Sequence, residues 1–268
     1  VNFGTFMLIF NNLLQVAGKL NYWNGKDSLK IKPYIDDENQ HKPGPKRKMR
    51  LIDEYFMVFM RLRLGLLERD LAERFRVSVS TVSRVLITWY NLLAGHLKDL
   101  IVWPSKELII ANMPRCFKKF PNTRIILDCT EFFIATPSSL VNQSITYSSY
   151  KSHNTFKLLV GISPTGAVTF LSQLCGGNAS DKHIVKKSGL LNLLETRDSA
   201  MADKGFTIED LLDPIGVTLN MQPIRESNRQ LSRKEVEQTR RIAALRIHVE
   251  QKMEQIKLPY TSRNYSCH

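Results

Sequence analysis

Arg124-Ile125-Ile126-Leu127-Asp128 is the stretch on which the reading of the fold turns. Before it, apolar residues recur at helical spacing; here they run consecutively and close on a carboxylate, which is the pattern of a strand. Two more strand-like runs follow at 156–162 and 167–174, and Ser163-Pro164-Thr165-Gly166 between them reads as the turn of a hairpin. Beyond Gly176-Gly177 the pattern predicts a helix over 182–194, a strand over 199–203, a helix over 208–212 and a last strand over 217–221. Three strands followed by alternating helix and strand predict an α/β class: a mixed sheet with flanking helices.

The 268 residues suffice for a full core, most plainly as one large domain and one small. Lys and Arg number 38 against 25 Asp and Glu, a formal charge of +13, and such an excess attracts a polyanion, nucleic acid first. A membrane is the rival use of basic charge. The most apolar stretch, Phe3 to Phe10, falls far short of the roughly 20 residues of a bilayer span, so no membrane partner is expected. It also lacks the basic flank and small-residue cleavage site of a signal peptide. Cys116, Cys129, Cys175 and Cys267 form no C-x-x-C pair, which excludes a signalled zinc site or disulfide framework and makes a reducing cytosol or nucleus the expected compartment.

Toward the amino terminus, 1–36 reads as a helical segment and 37–50 as a basic linker. In that linker Lys42, Lys46, Arg47, Lys48 and Arg50 flank Pro43 and Pro45 with no acid among them. Ile52, Tyr55, Phe56, Phe59 and Met60 then share a helical face that ends near Gly65. Helical spacing resumes through Leu67, Leu71 and Phe75, breaks at Arg76-Val77-Ser78, and resumes through Val82, Val85, Leu86 and Trp89. Two short helices therefore meet at a tight turn within 51–100. Ser78 is placed to cap the second, and Ser80, Thr81, Ser83 and Arg84 lie near its exposed first turns, as on a recognition helix. An ordinary αα-hairpin fits the same spacing. The charge favours DNA: residues 41–100 hold twelve Lys or Arg and six Asp or Glu. Lys46, Arg47, Lys48 and Arg50 are the further candidate phosphate contacts, joined by Lys151 beside the second strand.

Three acids carry the candidate chemistry. Asp128 and Asp203 each close a strand, and carboxylates at the carboxyl ends of neighbouring strands converge at one rim of a sheet. Glu250 sits beside the apolar stripe Ile242, Leu245, Val249, Met253 and Ile256 of a helix expected over 234–257. Oxygen ligands of this kind suit Mg²⁺ or Mn²⁺, with phosphate oxygens completing the shell, and two such ions clamp the attacking and leaving oxygens of a phosphodiester. Taken singly each acid also has a structural reading: Asp128 as a turn cap, Asp203 before Lys204-Gly205 as the start of a turn, Glu250 as the i, i+4 partner of Arg246. The serines of 138–152 pair with no readable His–Asp set, so no nucleophile is assigned among them.

L-D-C-T-E-F-F-I from Leu127, Y-S-S-Y-K-S-H-N-T-F-K-L-L-V-G-I-S-P-T-G-A-V-T-F from Tyr147, G-G-N-A-S-D-K from Gly176, M-A-D-K-G-F from Met201 and R-R-I-A-A-L-R-I-H-V-E ending at Glu250 together resemble the DDE superfamily endonucleases of PIF/Harbinger-type transposons. L-I-D-E-Y-F-M-V-F-M-R-L-R-L from Leu51 resembles the start of the helix-turn-helix that precedes this nuclease. The resemblance covers about residues 50 to 257. It implies an RNase H-like fold over 104–268 and metal-dependent cleavage at transposon ends followed by strand transfer, with Asp128, Asp203 and Glu250 as catalytic metal ligands. Asp181, in A-S-D-K, is expected behind them as a positioning group, although a helix cap is its plain alternative. Double-stranded DNA is the implied partner, with a homo-oligomer and an accessory DNA-binding protein as further ones, and the nucleus as the site of action.

After Glu250 the sequence departs from the family pattern, so a C-terminally truncated endonuclease is expected, and the opening on Val1 fits a fragment without its start. Two other functions fit the residues: a catalytically silent DNA-binding remnant or adaptor, and an unrelated metal hydrolase acting on small phosphoesters. Retention of all three acids argues against the first, and the basic excess against the second.

Overall fold

The computed structural model describes residues 2–23, 47–203, 205–222, 236–237, 239–240 and 242–245. The chain divides into two compact units, Val1–Asp99 and Leu100–His268. Among the described residues no helix is long and apolar enough to cross a membrane.

The first unit is all-α: α1 (Phe3–Lys19), α2 (Leu51–Leu64), α3 (Glu68–Phe75) and α4 (Val79–Leu97). Each boundary has a local cause. Asn2 caps α1 by accepting from the Thr5 N–H at 2.8 Å. Gly65, at φ 63°, ends α2 in the left-handed conformation that favours glycine. Arg76, left-handed at φ 52°, ends α3, and two residues on Ser78 caps α4, its Oγ accepting from the Thr81 N–H at 3.2 Å. The tight turn expected at Arg76-Val77-Ser78 is therefore present, with α4 longer than expected at both ends.

Phe10, Leu13 and Ala17 of α1 are buried with Tyr55, Val58, Leu71, Val82, Leu86 and Trp89. The segment read as a separate helical piece at the amino terminus thus shares the helix-turn-helix core, its apolar stripe buried against that core.

At the centre of this unit Glu54 is fully buried yet satisfied. It accepts from Trp89 Nε1 at 2.9 Å, from Arg47 Nη1 at 3.1 Å and from the Tyr22 hydroxyl. Arg47 also donates to the carbonyls of Ala17 and Leu20, at 3.0 and 2.6 Å, at the C-terminal end of α1 where a cation is favoured. A buried carboxylate is tolerated only with such a set of donors.

The second unit is α/β. After α5 (Lys106–Ala111) come β1 (Thr123–Phe133), α6 (Leu140–Thr146), β2 (Tyr147–Ser148), β3 (His153–Ile162), β4 (Val168–Leu171), β5 (Cys175–Gly176), α7 (Asp181–Lys187), β6 (Ser199–Met201), α8 (Glu209–Leu212) and β7 (Thr218–Asn220). The strands form one mixed sheet of order β2-β3-β1-β6-β7, with β4 and β5 also pairing with β3. β1 runs antiparallel to β3 and parallel to β6, which is parallel to β7. This is an RNase H-like mixed sheet with flanking helices, as expected.

Side chains alternate along β1. Ile125, Leu127 and Cys129 join one cluster, with Ile184, Val185, Ala200 and Leu212. Ile126 joins the other, with Phe117, Val160, Met201, Ile242 and Leu245. Both faces of the sheet are therefore covered. Near the amino ends of β1 and β6, Lys106 Nζ lies 2.7 Å from the buried Asp198 carboxylate and the Arg124 guanidinium stacks 5.1 Å from the Trp103 ring centre. These contacts hold the segment before β1 on this unit.

Several expected boundaries move. β1 does not end at Asp128 but continues to Phe133, because Thr130 is buried and every residue from Ile126 to Phe133 is paired with β3. The helix expected over 182–194 stops at Lys187, where Ser188 and the left-handed Gly189 (φ 80°) turn the chain into a short 3-10 turn. The strand expected over 167–174 holds only Val168–Leu171. Of the helix expected over 234–257, residues 236–237, 239–240 and 242–245 are helical, and the remainder lies outside the described residues, as does the linker through Lys46.

Burial, then the hydrogen bond to Glu54 and its charge, hold the Tyr22 phenol above its ordinary value of 10.0, against the opposing charge of Arg47. Burial pushes Tyr55 up to about 12. The neutral, protonated phenol is the form the fold prefers, so its contribution to stability is complete below pH 10 and is lost as pH rises through the folded value. The urea midpoint of the helical signal is expected to fall as pH climbs above 10, and to fall less in Tyr22→Phe. Superimposable pH profiles for the two proteins would contradict this account.

Candidate active site

Asp128 and Asp203 each follow, by two residues, the last aligned pair of β1 and β6. In the parallel pair β1 and β6, Ile126 lies opposite Met201; Asp128 comes two residues on within β1, and Asp203 two residues on, just past the end of β6. Equal offsets from one parallel pair direct the two residues toward the same level of the sheet. Both side chains are half-buried. The Ala202 N–H donates to Asn220 O at 3.1 Å, which keeps the chain on β7 beyond the end of β6. Asp203 then opens a turn, its carbonyl accepting from the Phe206 N–H at 3.1 Å. Gly205 takes φ 95° within that turn, a backbone conformation that side chains disfavour.

The face that carries these two acids is the one on which Ile242 and Leu245 are buried against Ile126, Val160, Ile162 and Met201. Those helical residues precede Glu250 in sequence, and Glu250 itself lies outside the described residues. Among the described residues no group of three or more His, Cys, Asp or Glu could hold a metal ion. Asp128 and Asp203 nonetheless suit a hard cation by donor chemistry: half-buried carboxylates leave room for water and phosphate oxygens.

Asp181 is elsewhere. It begins α7, where Ser180 caps the helix by accepting from the His183 N–H at 3.2 Å. Its carboxylate lies 3.7 Å from Lys157 Nζ, which is also 3.8 Å from Glu131 and donates to Ala179 O at 3.0 Å. Glu131 accepts in turn from the Thr155 hydroxyl at 2.7 Å. Cys129, Glu131 and Lys157 alternate to the face opposite Asp128, so Asp181 belongs to a polar network across the sheet from the two acids. Burial pushes the Cys129 thiol well above its ordinary range, and the charge of Asp181 and a hydrogen bond to it add to the effect. A protonated, half-buried thiol is a poor ligand and nucleophile.

The candidate DNA contacts divide in the same way. Ser80 and Arg84 are exposed on the first turns of α4, with Thr81 and Ser83 half-buried beside them. The Ser78 hydroxyl lies 3.0 Å from that of Ser80 and 2.8 Å from that of Thr81, which orders this end of the helix. Lys48 is exposed, and so is Arg50, although its guanidinium makes two bonds to Asp53, at 2.8 and 2.9 Å. Arg47, expected on DNA, is turned inward to Glu54 and the end of α1. Its charge was counted with the basic run, but a carboxylate seven residues on takes it up. Lys46 lies outside the described residues. Lys151 is exposed at a hairpin tip, its Nζ 4.5 Å from the Tyr150 ring centre.

Sequence reasoning missed the buried Glu54 and the Glu131–Lys157–Asp181 network. The spacing Arg47…Glu54 is no local pair, whereas alternation along β1 and β3 would have put Glu131 and Lys157 on one face had β1 been read through to Phe133.

No curated protein matches the chain. Residues 47–99 match the family model described as the helix-turn-helix of DDE superfamily endonuclease. Residues 127–264 match that of the DDE superfamily endonuclease. The second match spans half the chain and includes Asp128 and Asp203, and the first covers the helices that end in α4: the chain belongs to the DDE superfamily endonucleases, with the helix-turn-helix of that family ahead of the nuclease domain.

Proposed function

We propose that this chain is a transposase-derived endonuclease of the PIF/Harbinger type, which binds double-stranded DNA and cuts phosphodiester bonds at transposon ends before strand transfer. The observation that supports the reading is the parallel pairing of Ile126 with Met201, two residues before Asp128 and Asp203 respectively. In this reading Asp128, Asp203 and Glu250 hold Mg²⁺ or Mn²⁺, and two such ions supply an activated water and charge stabilisation at the leaving oxygen. The chain's own part is to supply these carboxylates and to hold DNA beside them. No covalent nucleophile is needed, which agrees with the protonated Cys129 thiol across the sheet.

DNA is held by the first turns of α4 through Ser80, Thr81, Ser83 and Arg84, with Lys48, Arg50 and Lys151 on phosphates. The formal charge of +13 supports an affinity that falls with salt. Action on chromosomal DNA makes the nucleus the proposed location. Pairing of two ends implies a homo-oligomer, and an accessory DNA-binding protein would supply end recognition beyond α4.

Nicking of supercoiled plasmid with Mn²⁺ or Mg²⁺ at low salt tests this directly. The full chain is expected to nick, and Asp203→Asn to lose about 100-fold or more of that rate while still binding the plasmid. Equal nicking by the variant would sink the assignment, and binding without cleavage by either protein would make a DNA-binding remnant the better description. Arg84→Ala is expected to weaken duplex binding alike on all sequences and to lower the salt slope by about one. An unchanged slope would remove Arg84 from the phosphate contacts.

A further inference from the structure

From residue 132 to residue 180 the chain contains no Asp or Glu, while Lys151, His153 and Lys157 and many hydroxyls fall within it. The middle of this acid-free stretch is a hairpin. Tyr147 and Ser148 of β2 pair with Asn154 and His153 of β3, closing a four-residue turn over 149–152. Ser152 sits in the left-handed region at φ 52°, unusual for a residue with a side chain. The buried Ser148 accepts from the Lys151 N–H at 3.3 Å. Asn154 Nδ2 donates to Gln143 O at 2.9 Å and to the Thr146 hydroxyl at 2.8 Å, fastening the hairpin base to α6. Gly176 lets α6 approach and Gly177 lets β3 approach: a Cβ on the first would lie 2.3 Å from Ile145 O, and on the second 2.3 Å from Thr155 Oγ1.

The base is thus fixed, and the tip is bare. Tyr150 is 82% exposed, with the Lys151 ammonium against its ring. Phe133 is 57% exposed and meets the His153 ring edge-on, centres 5.4 Å apart. A ring held out on a rigid turn gains nothing from its own fold, and with an ammonium beside it and no acid in the segment it suits a partner that offers both π faces and phosphates. Unpaired nucleotides do so, whereas a duplex keeps its base faces stacked inside. β1 runs five residues from Asp128 to Phe133, about 17 Å at the usual strand rise, so the tip meets nucleotides that flank the cut and not the cut itself.

We propose that the Tyr150–Lys151 hairpin tip is a binding site for unpaired nucleotides flanking the cleaved bond, with Tyr150 stacking on a base and Lys151 meeting its phosphate. The proposal rests on the endonuclease reading and names the form of DNA that its site retains.

Fluorescence anisotropy of the full chain in EDTA, without cleavage, tests it on two probes: a blunt duplex and the same duplex carrying a short single-stranded oligothymidine tail. Wild type is expected to prefer the tailed probe. Tyr150→Ala, an exposed change whose folding circular dichroism checks, should lose about fivefold or more on the tailed probe and nothing on the blunt one, and Tyr150→Phe should keep the preference. No tail preference in wild type, or equal losses on both probes in Tyr150→Ala, would overturn the stacking proposal and leave the endonuclease reading standing. Binding to neither probe by wild type would overturn the DNA reading beneath both.

Discussion

Parallel pairing of β1 with β6 is the constraint from which the nuclease unit follows. The central strand, antiparallel to β3 and parallel to β6, is buried on both faces, by Ile125 with Leu127 on one and by Ile126 with Val160 and Met201 on the other. The register aligns Ile126 with Met201, two residues before Asp128 and Asp203 respectively. Shifting either strand by one residue would send its acid to the opposite face, so packing of the apolar residues and placement of the acids are one requirement.

The helical unit depends on a different economy of charge. Glu54, wholly buried, draws Tyr22, Arg47 and Trp89 from three distant parts of the unit to one carboxylate. Losing one donor would leave a buried charge short of partners, which is where such networks become costly. The turn from Arg76 to Ser78 then presents the first residues of α4 with their hydroxyls ordered by the cap. Arg47 is thus turned inside, while Arg84 lies exposed on the first turns of α4.

The strands that carry the acids, the helix-turn-helix and the mixed sheet were legible in the sequence, because long apolar runs and helical stripes report burial directly. Cys129-Thr130-Glu131 concealed the second half of β1: polar letters usually mark a strand's end, yet here Thr130 is buried and Glu131 is matched by Thr155 and Lys157. The hairpin of β2 and β3 went unread because a strand of two residues has no period, and the serine-rich text around it resembles a loop. Asp181 was expected near Asp128 from its motif alone, and only alternation along β1 and β3 reveals that it serves the other face. Arg47 shows the matching limit of charge counting, which does not distinguish a guanidinium facing solvent from one consumed by a buried carboxylate.

Whether the two strand-borne acids act as one metal site is the question beneath the whole account. Titration of the full chain with Mn²⁺, followed by the electron paramagnetic resonance signal of the free ion, addresses it without substrate or turnover. The account predicts that the wild type depletes the free signal and that Asp128→Asn and Asp203→Asn each abolish most of that depletion while keeping the circular dichroism of the folded chain. Depletion by both variants equal to that of the wild type would contradict the claim that register assembles a cation site from this pair.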